Sequence, residues 1–337
     1  MERYRALDFF KGVAIIFVVI GHCNWTYEQR MKFGFPFWID MAVPIFMIIS
    51  GYVYAKSYER RHIETIEEAW APNNTLDKFI RFTVPYVISY IIEILIRILN
   101  GSWNGIKHSL LIFLGGGDGP GSYYYPIMIQ FIFLFPILYF PIKKDIYRGT
   151  MFCLILNIIY ELIFQRVYDM TETYYRMIVF RYIFLIAMGI VLTKYSGKLN
   201  LKKWLLFVTT MIIGITYIIV YRYQGKQLQV FRYWIGTSML PALFIVSIVF
   251  MGVNIYKKMH FKPLEIVGRA SYDIFLTQMV YFMFAENIYR LFDCNNILSQ
   301  VIVSLLITII VGIMFYYFEN GITSKVKMYV MNKLKSD

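Results

Sequence analysis

Apolar runs of bilayer length return along this chain with little between them, and nothing else in the sequence narrows its fold as much. They cover approximately residues 9–27, 37–56, 79–99, 123–141, 150–166, 176–194, 204–222, 232–255, 271–290 and 298–318. About 20 apolar residues in helical conformation cross a hydrocarbon core of about 30 Å, and a helix satisfies its own backbone groups there. The sequence therefore predicts an all-α polytopic membrane protein, a bundle of about ten transmembrane helices. Residues 1–337 form one integral-membrane domain, with 319–337 as a short basic tail. A water-soluble fold fails on composition, since 58% hydrophobic against 16% charged residues leaves too few charges to coat a domain of this size.

The connecting segments alternate in basic content. Those on the N-terminal side carry Arg3 and Arg5, then Lys56, Arg60 and Arg61, then Lys143, Lys144 and Arg148, then Lys194, Lys198, Lys202 and Lys203, then Lys257 and Lys258. The opposite side is sparser, with Arg30, Lys32, Lys107, Arg166, Arg176, Arg222, Lys226, Arg232 and Arg290. Basic loops stay in the cytoplasm, so both termini are expected there. The same placement accounts for the net charge of +13 as topology signals and lipid contacts, with no nucleic acid as partner. Cys23, Cys153 and Cys294 are far apart and form no CxxC pair, so neither a disulfide framework nor a metal site is expected. The stretch Gly115-Gly-Gly-Asp118-Gly-Pro120-Gly121 reads as an external turn, because no buried strand precedes it as a phosphate-binding loop requires.

Against this background, ionisable residues inside apolar runs stand out. The first run holds three. Eleven helical steps bring His22 to within about 20° of Lys11, and Asp8 lies about 40° to the other side of His22, so the three share a face. Lys11 and His22 are separated by roughly 16 Å along the axis, which puts His22 about two-thirds of the way across the core. An imidazole takes a proton from a hydroxyl near neutral pH and suits a general base. The alternative is a packing histidine bonded to a neighbour. On the second run, Asp40, Pro44, Ser50 and Gly51 fit either a kinked packing helix or a cavity wall. Lys78 and Arg81, three apart at the start of the third run, share a face that suits phosphates and equally an ordinary basic anchor. Arg269, Asp273 and Gln278 open the ninth run with polar groups, and Glu93 with Arg97 reads as an internal pair.

These residues resemble the membrane acyltransferase-3 family. The likeness is carried by Leu7-Asp8-x-x-Lys11-Gly12 with Gly21-His22, by Phe46-x-x-x-Ser50-Gly51-Tyr52, by Lys78-x-x-Arg81-x-x-x-Pro85, and by Gly268-Arg269-x-Ser271-Tyr272-x-Ile274-x-Leu276. Two departures stand within it: Lys78 where many members have arginine, and Gln278 where many have histidine. The resemblance implies a membrane O-acyltransferase that moves an acyl group, acetyl in the simplest case, from cytoplasmic acyl-CoA to a hydroxyl of a cell-surface polysaccharide or other glycan. Its essential histidine falls on His22, with Asp8 and Lys11 beside it as catalytic candidates, and its cofactor-binding basic motif falls on Lys78 and Arg81, with Arg269 added. Asp40, Ser50, Tyr124 and Gln130 are the candidate acceptor contacts. No metal is implied. The partners are a glycan or lipid-linked sugar and membrane lipids, a homodimer is compatible, and the place is a bacterial-type plasma (inner) membrane. A polysaccharide or lipid-linked sugar exporter without acyl transfer is the alternative from a different class.

Overall fold

A computed structural model describes residues 5–166, 175–195, 200–225, 239–256 and 260–336. It is all-helical, 85% helix, with no strand among the described residues. Arg3, Lys198, Lys226, Arg232, Lys257 and Lys258, and positions 232–238 of the eighth expected run, lie outside them.

The helices are α1 (Arg5–His22), α2 (Tyr27–Lys32), α3 (Ala42–Arg61), α4 (Ile66–Trp70), α5 (Pro72–Leu99), α6 (Ile106–Leu114), α7 (Tyr124–Lys144), α8 (Ile146–Arg166), α9 (Ile183–Tyr195), α10 (Leu201–Ile218), α11 (Met239–Ile255), α12 (Lys262–Arg269), α13 (Ser271–Phe282), α14 (Ala285–Leu291) and α15 (Ile297–Ser336). Among the described residues, six helical segments are long and apolar enough to cross a membrane: Phe35–Arg61, Pro72–Leu99, Tyr124–Lys144, Ile146–Phe164, Leu201–Tyr223 and Ile297–Lys333. Most of the rest are shorter or carry more charge. Helix α1 has 18 residues and includes Arg5, Asp8 and Lys11, while α9 has 13 residues and α11 has 17.

Three expected boundaries shift for local reasons. The second run does not kink at Pro44. Two 3-10 turns precede α3, so Pro44 falls in the first turn, where a missing N–H leaves no bond unmade. The ninth run, expected unbroken over 271–290, splits at Met283 and Phe284 into helices of 12 and seven residues. Glu286 just after the break accepts a hydrogen bond from Asn24 Nδ2 at 2.6 Å, which ties α14 to the end of α1. Finally, the expected tail from residue 319 is helix: α15 runs 40 residues, about 60 Å, without interruption.

Small residues set the closest crossings. A Cβ at Gly268 would lie 2.6 Å from the Asp8 carbonyl carbon and 2.9 Å from Gly12 N, so α1 and α12 touch backbone to backbone. Gly51 and Gly189 do the same for α3 and α9, where a Cβ at Gly189 would stand 2.9 Å from Ile48 C. Lipid gives apolar faces no incentive to separate from it, so such close approach is how membrane helices gain packing energy. These contacts hold the first helix against Arg269 and the third against the bundle centre.

Candidate functional site

Helices α1 and α3 run side by side in opposite directions, and two cavities lie along them. The larger, about 1220 Å³, follows α1 from Leu7 to His22 and α3 from Val43 onward. The smaller, about 490 Å³, surrounds the C-terminal end of α1 and the start of α3. Val18, His22, Val43 and Tyr123 line both. His22 therefore stands where the two meet.

The larger cavity collects most of the residues that the sequence singled out. Asp8 and Lys11 face it as a pair, Nζ to Oδ1 2.7 Å, and are thus engaged with each other about 20 Å of helix away from the imidazole. Ser50, Lys78, Arg81, Tyr124 and Arg269 complete the predicted set on its walls. The basic residues around it divide by partner. Lys56 is held by Glu59 at 2.7 Å, while Arg61 and Lys327 share Asp77 at 2.9 and 2.5 Å. Lys78, Arg81 and Arg269 form no ion pair with any carboxylate of the described residues. Lys78 instead lies over the rings of Tyr54 and Tyr58, 4.5 and 4.2 Å from their centroids, a geometry that holds an ammonium in place without neutralising it. Three positive groups on α5 and α12 are left to receive an anion, and phosphate oxygens are the matching chemistry.

At the junction, the His22 ring meets Phe282 edge to face at 6.0 Å, and no described residue hydrogen-bonds its nitrogens. The wall opposite is the glycine stretch. It is a turn, as expected, and it packs against the bundle: Glu93 Oε2 accepts from Asp118 N at 3.0 Å, Arg97 pairs with Asp118 at 2.5 Å, and Gln278 Nε2 donates to Pro120 O at 2.9 Å. Gly121 then sits with φ +91, which favours glycine, and a Cβ there would be 3.7 Å from His22 Nε2. The polar groups of α5 and α13 thus anchor a loop. Gln278 is its tether. Sequence reasoning missed this because the bonding partners are separated by up to 158 residues, although the unexplained polar residues on α5 and α13 were the signal.

Two acceptor candidates are placed differently from the rest. Asp40 lines the smaller cavity, between Arg30 at 3.3 Å and Arg222 at 3.5 Å. Gln130 reaches neither cavity: its amide donates to Met177 O at 2.8 Å and accepts from Val179 N at 3.1 Å, fixing the segment that carries Tyr175 to Tyr182.

A chamber with cations at one end that no described carboxylate pairs, an imidazole at its limit that no described residue hydrogen-bonds, and a second chamber beyond is suited to transfer between two substrates. Comparison with known proteins agrees. The acyltransferase domain description of the acyltransferase-3 family matches residues 4–317, nearly the whole chain. No curated protein and no solved structure matches it. The chain belongs to the acyltransferase-3 family and is a multi-pass membrane acyltransferase.

Proposed function

We propose that the protein transfers an acetyl group from acetyl-CoA, bound in the larger cavity from the cytoplasmic side, to a hydroxyl of a cell-surface glycan held in the smaller one. The observation that carries this reading is the position of His22 on the walls of both cavities. CoA phosphates bind Lys78, Arg81 and Arg269, and the cavity along α1 leads the thioester toward the imidazole, about 16 Å beyond Lys11. His22 takes the proton of the acceptor hydroxyl as its oxygen bonds to the thioester carbonyl carbon. The C–S bond then breaks, the acyl group remains on the acceptor as an ester, and the proton leaves with the thiolate as CoA thiol. Asp8 and Lys11, paired with each other, keep the donor end of the first helix polar. Both termini are cytoplasmic in this arrangement, and the setting is a bacterial-type plasma membrane.

The test is transfer by purified protein in lipid nanodiscs. His22→Ala and His22→Gln are expected to lower transfer by about 10²–10⁴-fold with acetyl-CoA affinity retained. Transfer at the normal rate by a folded His22→Gln protein would remove the base assignment. Glycan movement in vesicles without acetyl-CoA would favour the exporter instead.

A further inference from the structure

Four arginines converge on the smaller cavity. Arg30, Arg176, Arg181 and Arg222 line it together with His22, and the only carboxylate among its lining residues is Asp40. These arginines come from separate elements. Arg30 lies on α2, whose first turn is fixed by a capping box between Thr26 and Gln29. Arg222 lies in the turn that ends α10, which Tyr223 pins to α2 by donating from its hydroxyl to Met31 O at 3.0 Å. Arg181 belongs to the 3-10 turn Val179–Tyr182, with its guanidinium 4.8 Å from the Tyr175 ring. As topology signals they would sit singly at lipid headgroups; here they converge on about 490 Å³.

Their compensation is incomplete. Asp40 is shared by two guanidiniums at 3.3 and 3.5 Å, longer than the 2.7–2.9 Å of a tight charge-assisted bond. Arg222 Nε is buried without a hydrogen-bond partner among the described residues. Arg176 and Arg181 keep partners of their own and still add to the field. Glu161, behind Tyr175, accepts that tyrosine's hydroxyl proton. Holding like charges together in a poorly solvated chamber is costly, and a bound anion removes that cost.

We infer that the acceptor of this acyltransferase is an anionic glycan, whose carboxylate or phosphate seats between Arg30 and Arg222 while a nearby hydroxyl meets His22. This rests on the acyl-transfer reading. The cluster sets which acceptor is chosen, and Asp40 moderates how tightly it is held.

Purified protein in nanodiscs would be given acetyl-CoA with three probes: a uronic-acid oligosaccharide, the same oligosaccharide after carboxyl reduction, and a polyol-phosphate oligomer. At least one anionic probe is expected to be acetylated with a KM about tenfold or more below that of the neutral one, the gap closing as salt rises. The better of the two names the oxyanion. Arg222→Gln should raise the anionic KM about tenfold with acetyl-CoA affinity unchanged, and Asp40→Asn should lower it, a gain that misfolding does not produce. Equal use of neutral and anionic probes, or an Arg222→Gln effect equal on both, overturns the inference. So does acetyl-CoA hydrolysis with acetylation of none of the three. If acetyl-CoA is neither bound nor consumed, the acyl-transfer reading fails and takes this one with it.

Discussion

The contact between α1 and α12 gives a sharp quantitative expectation. In Gly268→Ala the new Cβ would run into the Asp8 carbonyl oxygen, with the carbonyl carbon behind it at 2.6 Å, whereas ordinary contact begins at 3.4 Å. The shortfall at the carbonyl carbon alone is about 0.8 Å, and the carbonyl oxygen, which stands closer still, demands a wider separation. Both partners are backbone, so no side chain can swing aside. Overpacking of this kind costs about 1–3 kcal/mol, which should appear as a drop of several degrees in apparent melting temperature in detergent. The functional effect should be larger, because Arg269 and the Asp8–Lys11 pair sit on the two sides of the seam. Displacements near 1 Å at a reacting centre lower rates by up to about 10²-fold, so transfer should fall about ten- to a hundredfold. Gly12→Ala presses on the Leu264 carbonyl across the same seam and requires a smaller separation, and the double variant should cost less than the two single effects together. Gly321→Ala is the control: no atom lies within 4 Å of its Cβ, and alanine in a helix gains about 0.5–1 kcal/mol over glycine. If Gly268→Ala keeps both the melting temperature and the acetyl-CoA affinity of the unsubstituted protein, the backbone contact does not exist.

Replacing Lys78 by Ala and Arg81 by Gln together should raise the acetyl-CoA dissociation constant about 10- to 100-fold, with the larger effect at low salt; calorimetry showing no change would take them out of the donor site. Gln278→Leu leaves Pro120 O without its donor and frees the loop facing His22. The turnover number should fall while acetyl-CoA affinity holds, and an equal loss of both would mean that the tether supports the whole bundle.

Much of the site was legible along single helices. The shared face of Asp8, Lys11 and His22 follows from a 3.6-residue period, and the cavity does run along it. Lys78, Arg81 and Arg269 stood out as charges at helix ends, and they line one chamber. What sequence periodicity leaves open is which distant segments meet. Arg30 and Arg222 fit the positive-inside bookkeeping individually, and only the pinning of α10 to α2 reveals them as a cluster. Gln130 is polar within an apolar helix, as a ligand-binding residue would be, yet it satisfies two backbone groups of a neighbouring segment. The split of the ninth run at Met283 was hidden for a similar reason, since the bond from Asn24 to Glu286 spans 262 residues.

The meeting of two chambers at four side chains has an electrical consequence. A passage open from both faces of an energised membrane would short-circuit the ion gradients across it, at about 2.3 kcal/mol per elementary charge per 100 mV. Under the proposed transfer, with the two chambers facing opposite sides, Val18, Val43 and Tyr123 and the imidazole they surround would insulate the membrane as well as floor the reaction chamber. The glycine loop, clamped by Asp118 and Pro120, presses Gly121 against that partition. A catalyst working at such a point can be loosened only a little before it becomes a leak, which limits how far its narrowest residues can shrink.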